Sequence, residues 1–193
     1  MARINMIKKA RKQTQCCKCN KIIEVGMPYL KATPYHRRPI IRCTECGLES
    51  YETSGSDYIR NVGDIANHWE ENFGISEGVH DEIASALEEI RDQQQESLDN
   101  MPESLQEGDT GMMLQERIEC LDNVIDELNN VSYEDCESSA RDEVETELGE
   151  YDPENGEYDT EEYYNQAFDE EAESRTEEMY RNAIEEALSG LEY

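Results

Sequence analysis

The sequence predicts a small β zinc ribbon followed by an all-α acidic helical body, arranged as a helical hairpin or bundle. Three observations carry that expectation: two C-x-x-C pairs inside the first 50 residues, a reversal of charge just beyond them, and helical periodicity from there onward.

The pairs are Cys16-Cys17-Lys18-Cys19-Asn20 and Cys43-Thr44-Glu45-Cys46-Gly47. Two cysteines separated by two residues direct both sulfurs at one metal from a tight turn, and two such turns complete a closed tetrahedral shell of Zn2+, structural rather than catalytic. The residue after the second cysteine often needs positive φ, which Asn20 and Gly47 tolerate. The expected ligands are therefore Cys16, Cys19, Cys43 and Cys46. Three alternatives stand beside this reading: a pair of disulfides or a redox C-x-x-C, Cys17 in place of Cys16, and His36 in place of one cysteine. Cys120 and Cys136 fall on helical faces and read as small buried apolar residues.

Charge places the boundary. Residues 1–46 hold eleven Lys or Arg and two acids, whereas residues 47–193 hold six Arg and 45 acids, for a net charge of −30 overall. The expected division is a basic four-cysteine module at 1–54 and an acidic helical domain at 55–193.

Within the first module, the 23 residues between Cys19 and Cys43 contain three expected strands, Lys21–Val25, Tyr29–Thr33 and Pro39–Arg42. Turn signals at Gly26-Met27-Pro28 and Thr33-Pro34 separate them. The pattern C-x-x-C-x-x-x-I-x-x-G, continued through Tyr29 to R-C-x-x-C-G, resembles the zinc ribbons of small bacteriophage and nucleic-acid-associated proteins. It is also loosely similar to the poly(ADP-ribose) polymerase type of finger. That finger has a histidine where this chain has Cys43, and a longer gap, so its recognition of DNA breaks does not carry over. The resemblance covers about a quarter of the chain and implies metal rather than a particular activity.

Cations decorate this module. Lys8, Lys9, Arg11 and Lys12 lie in a basic arm, and the loop after Thr33 presents Tyr35, Arg37 and Arg38. Mobile cations suit phosphates and an exposed ring stacks on an unpaired base, so these seven residues are the expected docking set for nucleic acid or a partner. The competing expectations are solubility and docking on the protein's own acidic half.

In the acidic half, Ile59, Val62, Ala66, Trp69 and Phe73 mark a first helix ending near Gly74. Val79, Ile83, Leu87, Ile90 and Leu98 mark a second, which stops before Pro102. Asn100–Gly111 reads as a polar connection. Leu114, Ile118, Leu121, Ile125 and Leu128 mark a third helix that pairs antiparallel with the second. Ser132 caps a fourth, with Tyr133, Cys136, Ala140, Val144 and Leu148 inward and Gly149 as its stop. Tyr151–Asp159 reads as a loop. The last helix, about 160–189, carries Tyr164, Phe168, Ala172, Met179 and Ala183 on a weak stripe and is expected to be loosely attached.

The acids read either as a solvated surface or as a functional one. Three parallel helices at this charge per residue present one net negative charge per about 1.9 Å, against about 1.7 Å for duplex DNA. Glu170, Glu171, Glu173, Glu177 and Glu178 are the expected partner surface, facing a basic protein.

Enzymatic chemistry is not expected. His36, His68 and His80 sit in no nucleophile motif, and Asp109-Thr110-Gly111 lacks the apolar strand that an aspartic protease places before its triplet. The run from Asp152 to Gly156 breaks the register of a calcium loop. There is no P-loop and no dinucleotide fingerprint. No apolar run approaches the roughly 20 residues that cross a bilayer, and MARINMIKKARKQ has no apolar core, so a cytoplasmic location is expected, the host cytoplasm if phage-encoded. The expected function is a non-catalytic zinc-binding adaptor or regulator of nucleic-acid-handling machinery. The alternatives are a DNA-mimic inhibitor of a host nuclease, restriction or defence protein, and a structural assembly component.

Overall fold

Short strands and a run of helices follow one another in the order the sequence implies, in a computed structural model that describes residues 2–34, 37–149, 151 and 160–193. The chain divides into two compact units, Met1–His68 with Tyr193, and Trp69–Glu192. The first unit thus includes most of the first helix.

Five strands form two small sheets: β1 (Asn5–Ile7), β2 (Thr14–Gln15), β3 (Ile22–Ile23), β4 (Tyr29–Ala32) and β5 (Ile40–Cys43). β4 is the centre of a three-stranded antiparallel sheet, with Met6 opposite Leu30 and Tyr29 opposite Cys43, while β2 and β3 pair separately. The three expected strands are present, the first cut to two residues. β1 and β2 were not among the expected strands; they flank the basic arm, whose cations Lys8, Lys9, Arg11 and Lys12 lie between them. Three residues carry too little alternation to announce a strand, and pairing with β4 decides the matter.

A 3-10 turn at Tyr51–Thr53 leads into α1 (Asp57–Phe73). Thr53 is buried, and its hydroxyl donates to Ser50 O at 2.7 Å while accepting from Ala2 N at 3.0 Å, which ties the N-terminus to this turn. Tyr51 packs onto Gly63 of α1 so closely that a Cβ at that glycine would lie 2.5 Å from the ring's Cγ. Tyr193 meets Tyr51 edge-on at 5.9 Å, and its hydroxyl accepts from Asn67 Nδ2 at 2.7 Å. At His68 the helix breaks regular geometry, with φ −138° and ψ 23°, where the unit boundary falls.

The second unit holds α2 (Val79–Asp99), α3 (Glu103–Gln106), α4 (Asp109–Asn129), α5 (Tyr133–Leu148) and α6 (Glu161–Leu188). α2 and α4 pack antiparallel, with Arg91 reaching Asp122 and Arg117 reaching Gln94. The expected polar connection between them is shorter than Asn100–Gly111, because α3 and the start of α4 occupy part of it. Gln106 Nε2 donates to Leu98 O and Met101 O, capping the end of α2. Gly111 allows Gln106 to approach, since a Cβ there would meet its carbonyl oxygen at 2.0 Å.

α5 and α6 form a second antiparallel pair, with Tyr133 against Tyr180 at 5.1 Å and the Tyr164 hydroxyl donating to Gly149 O at 2.5 Å. Ser132 caps α5 through Asp135 N and Thr160 caps α6 through Tyr163 N. The expected stripe of α6 needs correction. Met179, Ala183, Tyr164 and Phe168 are half-buried, whereas Ala172, Thr176, Tyr180, Ile184, Ala187 and Leu188 lie inside. The buried line advances in steps of four through two residues with polar atoms, Thr176 and Tyr180, which a count of apolar residues passes over. Their hydroxyls are satisfied by Ala172 O and by His80, which removes the cost of burying them.

Among the described residues no helix is long and apolar enough to cross a membrane.

Candidate metal centre

Cys16 follows directly on β2 and Cys43 closes β5, so the two sheets present the two knuckles. Each knuckle turns where a left-handed residue permits it, Asn20 at φ 59° and Gly47 at φ 65°. The first knuckle is closed by Asn20 N donating to Cys16 O at 3.1 Å, and Cys16 N donates to Lys21 O at 2.9 Å. The knuckles are also tied across their rims, where Lys21 Nζ lies 2.6 Å from a Glu45 carboxylate oxygen.

The Sγ atoms of Cys16, Cys19, Cys43 and Cys46 all lie within 4.8 Å of one another, and those of Cys19 and Cys43 are 3.7 Å apart. Four sulfurs each about 2.3 Å from one tetrahedral ion stand about 3.8 Å from each other. The cluster has the spacing of a metal tetrad, and all seven cysteines are unbridged. These four residues lie close enough to hold a metal ion.

The electrostatics fit that use. Burial pushes the Cys16 thiol up, but the backbone N–H groups of Cys19, Cys43 and Lys18 outweigh it and bring the pKa down to about 6. The Cys46 thiol is pushed up to about 12, first by its hydrogen bond to Cys19 and then by Cys43 and burial. One sulfur is set up as an anion while a neighbour keeps its proton, because the cluster alone holds little negative charge. A bound cation removes that restriction. Around the tetrad the core is thin: Ala10 and Ile23 are buried with Cys16 and Cys43, and Tyr29 and Ile41 pack against them.

Cys17 stands apart. It is exposed, its N–H donates to Ile41 O at 2.8 Å, and the tetrad forms without it. Cys120 and Cys136 are half-buried and belong to no metal-capable cluster among the described residues; Cys120 Sγ lies 3.4 Å from Gly190 O.

Lys8, Lys9, Arg11, Lys12, Arg37 and Arg38 are all exposed. Arg37 is held by Asp57 and donates to Gly55 O, while Arg38 makes no ion pair among the described residues. Tyr35 and His36 lie outside the described residues, as does the run from Asp152 to Gly156. Glu170, Glu171, Glu173, Glu177 and Glu178 are all exposed on α6; Glu171 accepts from Arg175 at 2.9 Å and Glu170 from Gln166 at 2.7 Å.

The sequence reading missed Arg42, Tyr51 and Arg60, which gather beside the tetrad around one cleft. Their only signal was chemical type, two arginines and a tyrosine, with nothing in their spacing to join them. No protein-family model matches this chain, and no curated protein or solved structure does either.

Proposed function

We propose that this chain is a non-catalytic zinc protein that acts as an adaptor or regulator on nucleic-acid-handling machinery. The ribbon docks through its cations and the helical unit meets a basic protein surface. The observation that carries the reading is the cysteine tetrad at tetrahedral spacing in a region where cations face outward. Four thiolates favour zinc over harder ions, and a shell closed by four protein ligands leaves no position for substrate. The metal supplies folding energy to a unit whose apolar core is small.

The test has two arms. Elemental analysis of protein prepared without added metal is expected to give one zinc per chain, and well under half an equivalent would remove the basis of the reading. A gel-shift with single- and double-stranded DNA is expected to weaken when Arg37 and Arg38 are both replaced by Ala. An unchanged shift would take docking away from this loop.

A second reading, a DNA-mimic inhibitor, is favoured by how the acidic unit uses its arginines. Arg91 is held by Asp92 and Asp122, Arg141 by Glu137 and Asp169, and Arg175 by Glu143, Glu147 and Glu171. These three cations are consumed internally, and among the described residues of the unit the carboxylates that hold no arginine face outward. Under this reading, changing the α6 set Glu170, Glu171, Glu173, Glu177 and Glu178 to Gln weakens capture of a basic DNA-binding protein while the gel-shift stays as it was.

A further inference from the structure

Four large apolar side chains stand exposed among the described residues of the second unit, and three of them, Leu105, Met112 and Met113, belong to one corner; Tyr163 is the fourth. The corner is where α3 rests on the first turn of α4, with the Gln106 backbone against Gly111. Leu105 precedes that contact in the chain and Met112 follows it. Met101, half-buried, joins them at the end of α2, where its carbonyl accepts from Gln106 Nε2 at 2.9 Å. Three of the protein's seven methionines therefore belong to this junction.

The fold buries the rest of this face of α4 and stops short of the corner. Two turns beyond Met113, the chain after α6 lies on the helix: Gly190 approaches Val124, and Gly190 O and Glu192 N reach Cys120 Sγ at 3.4 and 3.5 Å. Leu105 is left 55 % and Met112 48 % exposed. Burying side chains of this kind gives about 1.5–3 kcal/mol each. The junction is also fixed before anything binds, because Gln106 is held by Leu98 O and Met101 O and by its close seat on Gly111.

Charge says what the corner fits. From Asp99 to Glu116 the chain holds five acids and no lysine or arginine. Glu103, Glu107, Asp109 and Glu116 are exposed and make no ion pair among the described residues. Apolar groups flanked by carboxylates repel nucleic acid and anionic lipid and match a cationic protein surface. Methionines adapt their shape to such a partner. The unit has no strand among its described residues, so an extended segment would find no edge for its backbone, whereas a helix satisfies its own. We propose that this corner docks a basic amphipathic helix of a partner protein, with its apolar stripe on Leu105, Met112 and Met113 and its cations against the four carboxylates. The inference rests on the reading above in which the helical unit meets a basic protein surface, and it locates that meeting here.

The experiment uses the full-length, metal-loaded chain at physiological ionic strength. Fluorescence anisotropy follows a labelled 18-residue peptide of leucine and lysine with every leucine on one helical face. A scrambled peptide of the same composition, without such a face, is the control. The parent is expected to bind the amphipathic peptide roughly tenfold tighter than the scrambled one, and Leu105→Ser with Met112→Ser to erase that difference. Both positions are exposed, so the double variant is expected to melt with the parent; Met112→Gln, which keeps a good helix former, is expected to remove part of the preference. Neutralising the five α6 glutamates is expected to weaken both peptides alike and leave their ratio unchanged. Equal affinities in the parent, or a preference that survives the double substitution, would overturn the corner, and binding of both peptides would leave the basic-surface reading standing. No binding of either peptide overturns both. A parent dimer in sedimentation velocity that the double variant dissociates would make a second copy the occupant and overturn the partner helix.

Discussion

The hydroxyl of Tyr180 on α6 lies 2.5 Å from Nδ1 of His80 on α2, and it also accepts from His80 N at 3.3 Å. Tyr180 is fully buried, the largest such side chain among the described residues, and burial raises its phenol above the ordinary value. The pair lets a polar atom sit where α2, α5 and α6 need bulk. Tyr180→Phe keeps the ring and strands both groups of His80. The expected cost is about 1–2 kcal/mol in urea unfolding, with no change in the m-value. A variant as stable as the parent would show that the hydroxyl contributes nothing beyond its ring.

Gly63 is the clearest single-residue test of the first unit. In an exposed helix, alanine gains up to about 1 kcal/mol over glycine. Here the added Cβ enters the Tyr51 ring, and overpacking of that kind costs about 1–3 kcal/mol. Gly63→Ala is expected to lower the melting temperature of the metal-loaded protein. Gly55→Ala, where nothing lies within 4 Å of the new carbon, is expected to leave it within error. Equal melting temperatures for the two variants would refute the packing argument.

Where the first unit ends has a consequence for fragments. Tyr58, Val62 and Ile65 are buried and belong with residues 1–57 rather than with the helices that follow. With metal bound, a 1–68 fragment is expected to melt at a higher temperature than a 1–54 fragment. The reverse order would place the seam before α1.

Metal removal should separate the two units by signal. Chelation is expected to abolish the protection of ribbon amides in hydrogen exchange, because Ala10 and Ile23 are too small a core to stand alone. Most of the helical circular dichroism should persist, since α2 and α4 to α6 draw their core from their own residues. Metal affinity is expected to fall as pH falls. Binding displaces the proton that Cys46 otherwise keeps, its thiol being pushed up to about 12 by Cys19, so added protons compete with the ion. Affinity independent of pH between 6 and 8 would mean that the thiols do not bind as thiolates.

Much of this protein follows from local rules that a one-dimensional chain displays. The tetrad was legible because ligand spacing is dictated by the metal and the turn, whatever surrounds them: Cys16, Cys19, Cys43 and Cys46 meet with Asn20 and Gly47 at positive φ. Helix ends were legible at Ser132 and Gly149 because a cap acts within four residues of itself. What only the tertiary structure decided involves groups distant in sequence whose pairing has no period. β1 exists because it pairs antiparallel with β4. The buried line of α6 runs through Thr176 and Tyr180 because Ala172 and His80 satisfy them. The cleft of Arg38, Arg42, Tyr51 and Arg60 is assembled from a loop, a strand, a 3-10 turn and a helix, each ordinary alone. Periodicity reports one element's own face, whereas burial of a polar atom depends on a partner that another element supplies.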